Sequence, residues 1–284
     1  MVTENEIAPL SMVVSPSEQG RTPALKNLKK VVDSWSKYVH YSFVSIIQAR
    51  KERERIAREE LILDHAQRML LQDGFQNLNL DELAKAVEYS KGTLYLHFKT
   101  KEDIALAVVT RALKERADFF ERALQLQGRS RERARAIGFA CCHFAKVYPD
   151  YYNVEMMLKS QSFWEKADEA RQHQYGMQGG RCFRTMHRVV TEGLQSGDLP
   201  QSKLSPEQIV FSIAATAVGT HIMGRNTHFA MVAGIEDPLK SICTNVDVLL
   251  DGLSWKPMSS EWDYEAVDRR IKKEVFPEAT WLKN

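Results

Sequence analysis

Apolar residues recur at intervals of three and four along most of this chain, and few stretches alternate as β-strands do. The first such stripe comprises Leu25, Leu28, Val32, Trp35, Val39, Phe43 and Ile46. An α-helix places residues at these intervals on one face, so each stripe predicts an amphipathic helix. The chain has 284 residues, 44% of them hydrophobic, which is enough to bury a substantial core. The periodicity therefore predicts an all-α protein.

The sequence carries no signal typical of a membrane or secreted protein. Charged residues interrupt its apolar runs before they reach the ~18 uncharged residues that a membrane helix needs. The N-terminus lacks the basic segment and long apolar segment of a secretory signal, and the four cysteines show no disulfide-framework spacing. We therefore expect a cytoplasmic protein without a membrane partner.

Positive charge is concentrated in one short stretch. From Ser90 to Lys101 the chain has three lysines, one histidine and no acidic residue, whereas the net charge of the whole chain is only +2. Ser90 is a favourable N-cap for a helix that begins at Lys91. A short helix with a locally basic face is typical of the half of a helix-turn-helix that contacts DNA.

Each residue of this stretch suits a particular role on DNA. Lys91 and Thr93 lie in the first helical turn, where a lysine can donate to guanine and a threonine can contact a base edge. Gly92 allows close backbone approach, while Leu94 and Phe98 face the core. Phosphate contacts are expected from Tyr95, His97 and Lys101. The full set of candidate DNA-binding residues is Asn79, Ser90, Lys91, Gly92, Thr93, Tyr95, His97 and Lys101.

The span from about Ile56 to Val109 resembles the DNA-binding domain of the TetR family of bacterial transcriptional regulators. The matches, in order, are Ile62-Leu63, Ala66, Gly74-Phe75, Leu83-Ala84, Lys91-Gly92-Thr93-Leu94-Tyr95, His97-Phe98 and Lys101-Glu102. The resemblance implies an all-helical homodimer. Each subunit would have a small three-helix reader and a larger C-terminal helical domain that binds an effector and dimerises.

Two positions depart from the family pattern. Glu88 occupies the turn position where the family usually has glycine, so a residue with a Cβ has to adopt a left-handed backbone at a cost of roughly 1 kcal/mol. Leu78 replaces a commonly polar residue before Asn79, whose side chain is expected to cap the next helix. Neither departure removes a group expected to contact DNA.

Periodicity and resemblance together divide the chain into consecutive parts. Residues 1–24 are expected to form a mobile tail and residues 25–50 an extra amphipathic helix. Residues 51–104 are the expected helix-turn-helix DNA-binding domain, and residues 105–254 the helical effector-binding and dimerisation domain. Residues 255–284 are a C-terminal extension with an added helix, beyond the family's usual end.

The middle helices are rich in aromatic and flexible apolar residues with a few polar groups, a composition typical of a pocket for an apolar or aromatic molecule. Taken singly, each of these residues also suits the core. The candidate effector-binding residues are Phe139, His143, Met157, Trp164, Tyr175, Phe183, Met186 and His187.

Two later helices are candidates for a four-helix dimer interface. The helix from Pro206 is rich in small residues, which allow another helix to approach closely. Packing within one subunit is the alternative. The residues concerned are Ser212, Ala214, Ala215, Ala217 and Gly219, with Ile242, Val246, Val248, Leu249, Leu250 and Leu253 on the later helix.

Cys141, Cys142 and His143 are consecutive, and Cys182 and Cys243 lie elsewhere. Adjacent residues on a helix point about 100° apart, so Cys141 and Cys142 cannot easily bind one ion, and no Cys-x-x-Cys occurs. We interpret the cysteines as small buried hydrophobic residues and expect neither a metal nor a cofactor.

These patterns favour a DNA-binding transcriptional regulator, and the resemblance implies a ligand-responsive repressor. It would bind a palindromic double-stranded operator as a homodimer and leave it when a small, mainly apolar effector binds. Two alternatives stay open: a helical adaptor that keeps the fold without binding DNA, and an enzyme that uses the C-terminal pocket. No nucleophile–base order, carboxylate pair, phosphate loop or metal-ligand spacing supports the enzyme, so we expect no catalytic residue.

Overall fold

The computed structural model describes residues 23–149, 151, 154, 155, 158, 161–225 and 227–280. Side chains are described from residue 46 onward, except at positions 161, 162, 225, 227 and 229. Most of the expected tail, residues 1–24, and Met157 of the expected pocket lie outside the described residues. Throughout the described ranges the secondary structure is helical and no strand occurs, which confirms the all-α prediction.

The helices are α1 (Pro23–Asn77), α2 (Leu80–Ala86), α3 (Lys91–His97), α4 (Lys101–Ala123), α5 (Ser130–Val147), α6 (Gln161–Trp164), α7 (Glu169–Ser196), α8 (Pro206–Arg225), α9 (Thr227–Val232), α10 (Pro238–Gly252) and α11 (Tyr264–Glu274). The chain divides into two compact units, one up to Glu59 and one from Glu60 onward. None of the described helices combines the length and apolarity needed to cross a bilayer.

Most described side chains of the first unit are exposed, and many are charged, although Ile46, Ile47 and Ile56 are exposed apolar residues. Arg55 binds Glu52 at 2.7 Å and Glu59 at 3.0 Å, and Arg50 binds Glu54 at 2.8 Å. These pairs are three or four residues apart on α1, where exposed ion pairs contribute about 0.3–0.5 kcal/mol each. This stretch is therefore a solvated helix surface.

A compact core forms the reader, here defined as residues 60–104. Its buried residues come from the later part of α1, from α2 and α3, and from the start of α4. Gly74 has a positive φ of 78°, so the regular geometry of α1 is interrupted there. Glycine tolerates that conformation without a Cβ penalty, which allows the chain to turn toward α2. The largest fully buried side chains of this core are Ile62, Leu70, Leu83, Leu94, Phe98 and Ile104.

A second core joins α5 to the C-terminal extension. Trp255, Ile271 and Phe276 are fully buried in it. Asp268 on α11 binds Arg135 of α5 at 2.7 Å. The extension is therefore part of the packed regulatory region, the name used below for residues 105–280.

Candidate DNA-binding surface and ligand cavity

Local hydrogen bonds cap both helices of the helix-turn-helix. Asn79 Oδ1 accepts from the backbone N–H of Asp81 at 2.8 Å and of Glu82 at 3.4 Å. Ser90 Oγ accepts from the backbone N–H of Thr93 at 3.1 Å. Side-chain caps of this kind contribute about 1 kcal/mol each, because they satisfy donors that the helix leaves unpaired. Asn79 and Ser90 therefore define where α2 and α3 begin.

One face of α3 is exposed and the other is buried. Leu94 and Phe98 lie in the core, whereas Lys91 and Gly92 are exposed and Tyr95 keeps 43% of its surface exposed. The exposed face is the one that can enter a DNA groove.

Leu96 is a member of the exposed face that sequence reasoning missed, and it is 85% exposed. Its position could have been found from the helical period. A residue two positions from both Leu94 and Phe98 points away from the core that they define. Such an exposed aliphatic group suits contact with thymine methyl groups or sugars.

The two side chains expected to read bases already have partners within the protein. Lys91 Nζ lies 2.6 Å from Asp81 Oδ1, and this hydrogen bond raises the pKa of Lys91. Thr93 Oγ1 lies 2.9 Å from Ser90 Oγ. Both partners of the Lys91–Asp81 pair are more than half exposed, so exchanging this contact for DNA costs little.

Lys101 contacts the C-terminal end of α1. Its Nζ donates to the carbonyl of Gln76 at 3.2 Å and lies 4.7 Å from the centre of the Phe75 ring. A cation at this place is favourable because the last carbonyls of a helix carry partial negative charge. The structure thus places Lys101 in the framework of the reader, while a phosphate contact by this side chain stays a prediction. His97, at the end of α3, is half-buried.

Glu88 has φ of 57°, the left-handed conformation expected for this turn. Backbone hydrogen bonds surround it, since Glu88 N donates to Lys85 O at 3.1 Å and Tyr89 N to Ala84 O at 2.9 Å. The turn therefore has the left-handed backbone and the hydrogen bonds expected with glycine, although Glu88 carries a Cβ.

The beginning of α7 is bonded to the reader. Asp168 accepts from Lys99 Nζ at 2.5 Å, which lowers the pKa of Asp168, and its backbone N–H donates to Asp103 at 2.7 Å. The Arg171 guanidinium lies 4.7 Å from the centre of the Phe98 ring. These contacts join the end of α3 and the start of α4 to α7.

The regulatory region contains a partly open cavity of about 270 Å³ among α4, α5, α7, α8 and α10. Charge at its wall is largely compensated, because Arg135 pairs with Asp247 and Arg116 binds Glu155 at 3.2 Å. The cavity therefore suits a molecule that is mainly apolar. Its apolar lining includes Phe120, Ile137, Phe183, Met186, Val210, Ile213, Ala217, Ile242, Val246 and Leu250.

Of the expected effector-binding residues, Phe183 and Met186 line this cavity. Phe139 is buried and stacks on Phe276 at 5.7 Å between ring centres. His143 stacks on Phe119 at 5.3 Å, where burial lowers its pKa. Phe139 and His143 belong to the core and do not line the cavity.

The other expected pocket residues with described side chains also lie away from the cavity lining. Trp164 and Tyr175 form an edge-to-face pair at 5.3 Å beside the reader core. His187 lies 3.1 Å from Glu207 near the surface. Sequence reasoning placed aromatic residues in the pocket, whereas the walls are mostly aliphatic and small residues from α5, α8 and α10.

The two helices expected to form the dimer interface divide their residues between two faces. Ile242 and Leu250 are buried and line the cavity of their own subunit. On the opposite side, Phe211 of α8 is 72% exposed and Val248 of α10 is 68% exposed, with Met223 also exposed. Within the described part of the chain, this pair of helices thus presents an apolar face to the surroundings.

All four cysteines lie in the described part of the chain, and none forms a disulfide. Cys142 is buried, as expected, while Cys141, Cys182 and Cys243 are half-buried and line the cavity. Across the described residues, no group of three or more His, Cys, Asp or Glu is placed to hold a metal ion.

Residues 62–108 match the family model described as bacterial regulatory proteins of the tetR family. The match covers the reader core, both capped helices and the first part of α4. It includes Ser90, Lys91, Thr93 and Tyr95.

Similar proteins are regulators. The fatty acid metabolism regulator protein of Bacillus subtilis is 22% identical over 170 residues, which are 57% of this chain and 82% of that protein. The regulator EthR of Mycolicibacterium smegmatis is 32% identical over 77 residues, 27% of this chain and 36% of that protein. The fold is also that of the fatty acid degradation regulator FadR of Bacillus halodurans, with a TM-score of 0.54 and 16% identity over 70% of this chain and 97% of that one.

Proposed function

Since the chain belongs to the TetR family and is a DNA-binding transcriptional regulator, we propose that it is a cytoplasmic, homodimeric repressor released from its operator by a small apolar molecule. The observation that carries this proposal is the presence of a capped, exposed α3 and a mainly apolar, partly open cavity in the same chain. The first supplies a surface for a DNA groove, and the second supplies a place for the signal.

We propose that α3 reads bases with Lys91 and Thr93 and contacts phosphates with Tyr95 and His97. Lys91 has to leave Asp81 as it enters the groove, so Asp81→Asn should free it and strengthen operator binding slightly. The test is fluorescence anisotropy with the DNA upstream of the protein's own gene, over a range of salt concentrations. We expect affinity to fall steeply with salt as phosphate counterions are released.

A folded dimer that shows no salt-dependent binding to any promoter fragment would contradict this proposal. That outcome would favour the helical adaptor, in which Tyr95→Ala leaves activity unchanged.

We propose a dimer because operator binding needs two readers and because α8 and α10 carry an exposed apolar face. Two readers must reach half-sites roughly 34–36 Å apart on a palindrome. Phe211 and Val248 supply exposed apolar area for a self-complementary contact. Phe211→Glu should convert the dimer into a monomer in sedimentation analysis and weaken operator binding. The matched control is Lys203→Glu, an exposed change outside this face.

We propose an aliphatic effector with at most one polar end, because the cavity is apolar and its charged groups are paired. The relative in Bacillus subtilis is a regulator of fatty acid metabolism, and an alkyl chain fits this chemistry. Decanoate is a suitable first probe. It should weaken operator binding, whereas the polar control hexane-1,6-diol should leave operator binding unchanged.

A further inference from the structure

Two thiols meet at the wall of the cavity. Cys142 lies on α5 and Cys243 on α10, and their sulfur atoms are 3.7 Å apart. Cys141 and Cys182 line the same cavity. All four cysteines of the chain therefore lie at or beside one apolar cavity, although they come from three separate helices.

The surroundings make the two thiols chemically different. The hydrogen bond with Cys142 and the positive charge of Arg135 lower the pKa of Cys243. The same hydrogen bond, seen from Cys142, and burial raise the pKa of Cys142. Burial also raises the pKa of Cys182. Because the thiolate is the nucleophile, Cys243 is better suited to attack than Cys142 or Cys182.

We propose that Cys243 and Cys142 form an oxidisable pair whose oxidant is an apolar organic hydroperoxide that enters the cavity. The inference rests on the proposed function, since it names a chemical class of effector for the same cavity. An apolar cavity with a nucleophilic sulfur at its wall favours molecules that combine an apolar organic group with an electrophilic group, such as a hydroperoxide.

The reaction balances in two steps. The Cys243 thiolate attacks the outer peroxide oxygen, the O–O bond breaks, and the alkoxide leaves and takes up a proton to become an alcohol. Cys243 is then a sulfenic acid. The Cys142 sulfur attacks the Cys243 sulfur, the S–O bond breaks, water leaves, and the disulfide forms. Two thiols are oxidised while one hydroperoxide is reduced to an alcohol and water.

The geometry allows this bond after a small movement. The sulfur atoms must approach from 3.7 Å to about 2.0 Å. That approach draws α5 and α10 together at the cavity wall. Because α10 also carries Val248 on the exposed apolar face, the movement would reach the surface proposed for dimerisation.

The test uses the reduced, full-length protein and cumene hydroperoxide. Free thiols are alkylated after denaturation, and peptide mapping locates any disulfide. We expect two of the four thiols to be protected, a Cys142–Cys243 linked peptide, and full reversal by reductant. Hydrogen peroxide should react at least tenfold more slowly, because it gains nothing from an apolar cavity.

Variants separate the roles of the cysteines. Cys142→Ser should stop the reaction at a sulfenic acid on Cys243, which dimedone traps, and Cys243→Ser should abolish the reaction at this site. Cys182→Ser should still form the Cys142–Cys243 disulfide. An unchanged thiol count in the wild-type protein, a disulfide between other cysteines, or equal rates with both peroxides would overturn the proposal.

DNA binding provides a second readout. The oxidised protein should bind the operator at least tenfold more weakly than the reduced protein, and equal affinities would overturn its role as a switch. The thiol measurements need no DNA, so their failure leaves the proposed repressor intact. Conversely, a reduced protein that binds no DNA would refute the repressor while the thiol chemistry is still measurable.

Discussion

The reader and the cavity are assembled over very different distances along the chain. The capping bonds of the reader join residues at most three positions apart, as between Asn79 and Glu82 or between Ser90 and Thr93. The cavity walls extend from Arg116 on α4 to Leu250 on α10. The reader is thus a local structure with one exposed working face. The cavity exists only when several helices pack correctly, so substitutions far from it can still alter it.

The largest change in stability is expected for a substitution in the core of the reader. Phe98→Ala removes a buried ring, and we expect the free energy of unfolding to fall by about 4 kcal/mol through lost burial and a cavity. Urea denaturation followed by circular dichroism measures it. Leu96→Ala, on the exposed side of the same helix, should change stability by less than ~0.5 kcal/mol. Equal effects of the two variants would contradict the assigned faces of α3.

The corresponding test of the regulatory region concerns Arg131, which is fully buried and binds Asp251 at 2.6 Å. Arg131→Met leaves this acid without its buried partner, so we expect a loss of about 3 kcal/mol in the same unfolding experiment. Arg188→Met is the control, because its pair with Glu192 lies on an exposed surface and contributes less than ~0.5 kcal/mol. A similar result for both variants would show that the Arg131 contacts are dispensable.

A smaller effect is expected when one hydroxyl is removed from the working face of the reader. Tyr95→Phe should weaken operator binding about tenfold, which corresponds to about 1.4 kcal/mol. Because a phosphate contact carries no sequence information, specific and non-specific DNA should lose affinity by the same factor. Anisotropy titrations with both DNAs measure this. Tyr148→Phe, in the regulatory region, should leave both affinities unchanged. A loss confined to the specific operator would instead assign Tyr95 to base reading.

Decanoate affinity should fall when a larger side chain fills part of the cavity. Ala217→Leu adds volume to the lining, and we expect decanoate affinity to fall about fivefold, close to 1 kcal/mol. Isothermal titration calorimetry measures the change. Ala170→Leu is an exposed control on α7 and should bind decanoate as the wild type does. Unaltered binding by Ala217→Leu would place the ligand elsewhere.

The smallest effect concerns pH. Burial lowers the pKa of His143, so below its ordinary value of about 6.5 the unfolded chain binds more protons than the folded protein. Stability should therefore decrease as pH falls through that value. His143→Gln should flatten this part of the stability–pH curve, as measured by urea denaturation at several pH values. An unchanged slope would show that other groups dominate it.

The reader was largely predictable from the sequence because its determinants are local. The helical period, the cap at Ser90 and the ordered TetR-like matches identify the helices and the buried positions Leu94 and Phe98. The ion pair between Lys91 and Asp81 was not predictable, because it depends on the angle at which α2 and α3 meet. Lys101 likewise has contacts that only the return of α1 toward α4 creates.

The cavity was much less predictable. Composition indicates that some helices will be apolar, but it does not say which apolar residues leave space between them. Phe139 fills its space against Phe276, whereas Phe183 borders the cavity. The distinction arises from the C-terminal extension, which fills one side of α5 and whose packing had no local signal.

The position of α7 has a thermodynamic consequence. Its first turn is bonded to Lys99 and Asp103 of the reader, and its middle, at Cys182 and Met186, borders the cavity. If the operator also favours one placement of α7, a molecule that binds the cavity more tightly in one placement than in another must change operator affinity by a definite factor. Linkage then requires the operator to change the affinity for that molecule by the same factor. The protein can therefore be studied in reverse, with DNA treated as the allosteric ligand of the cavity.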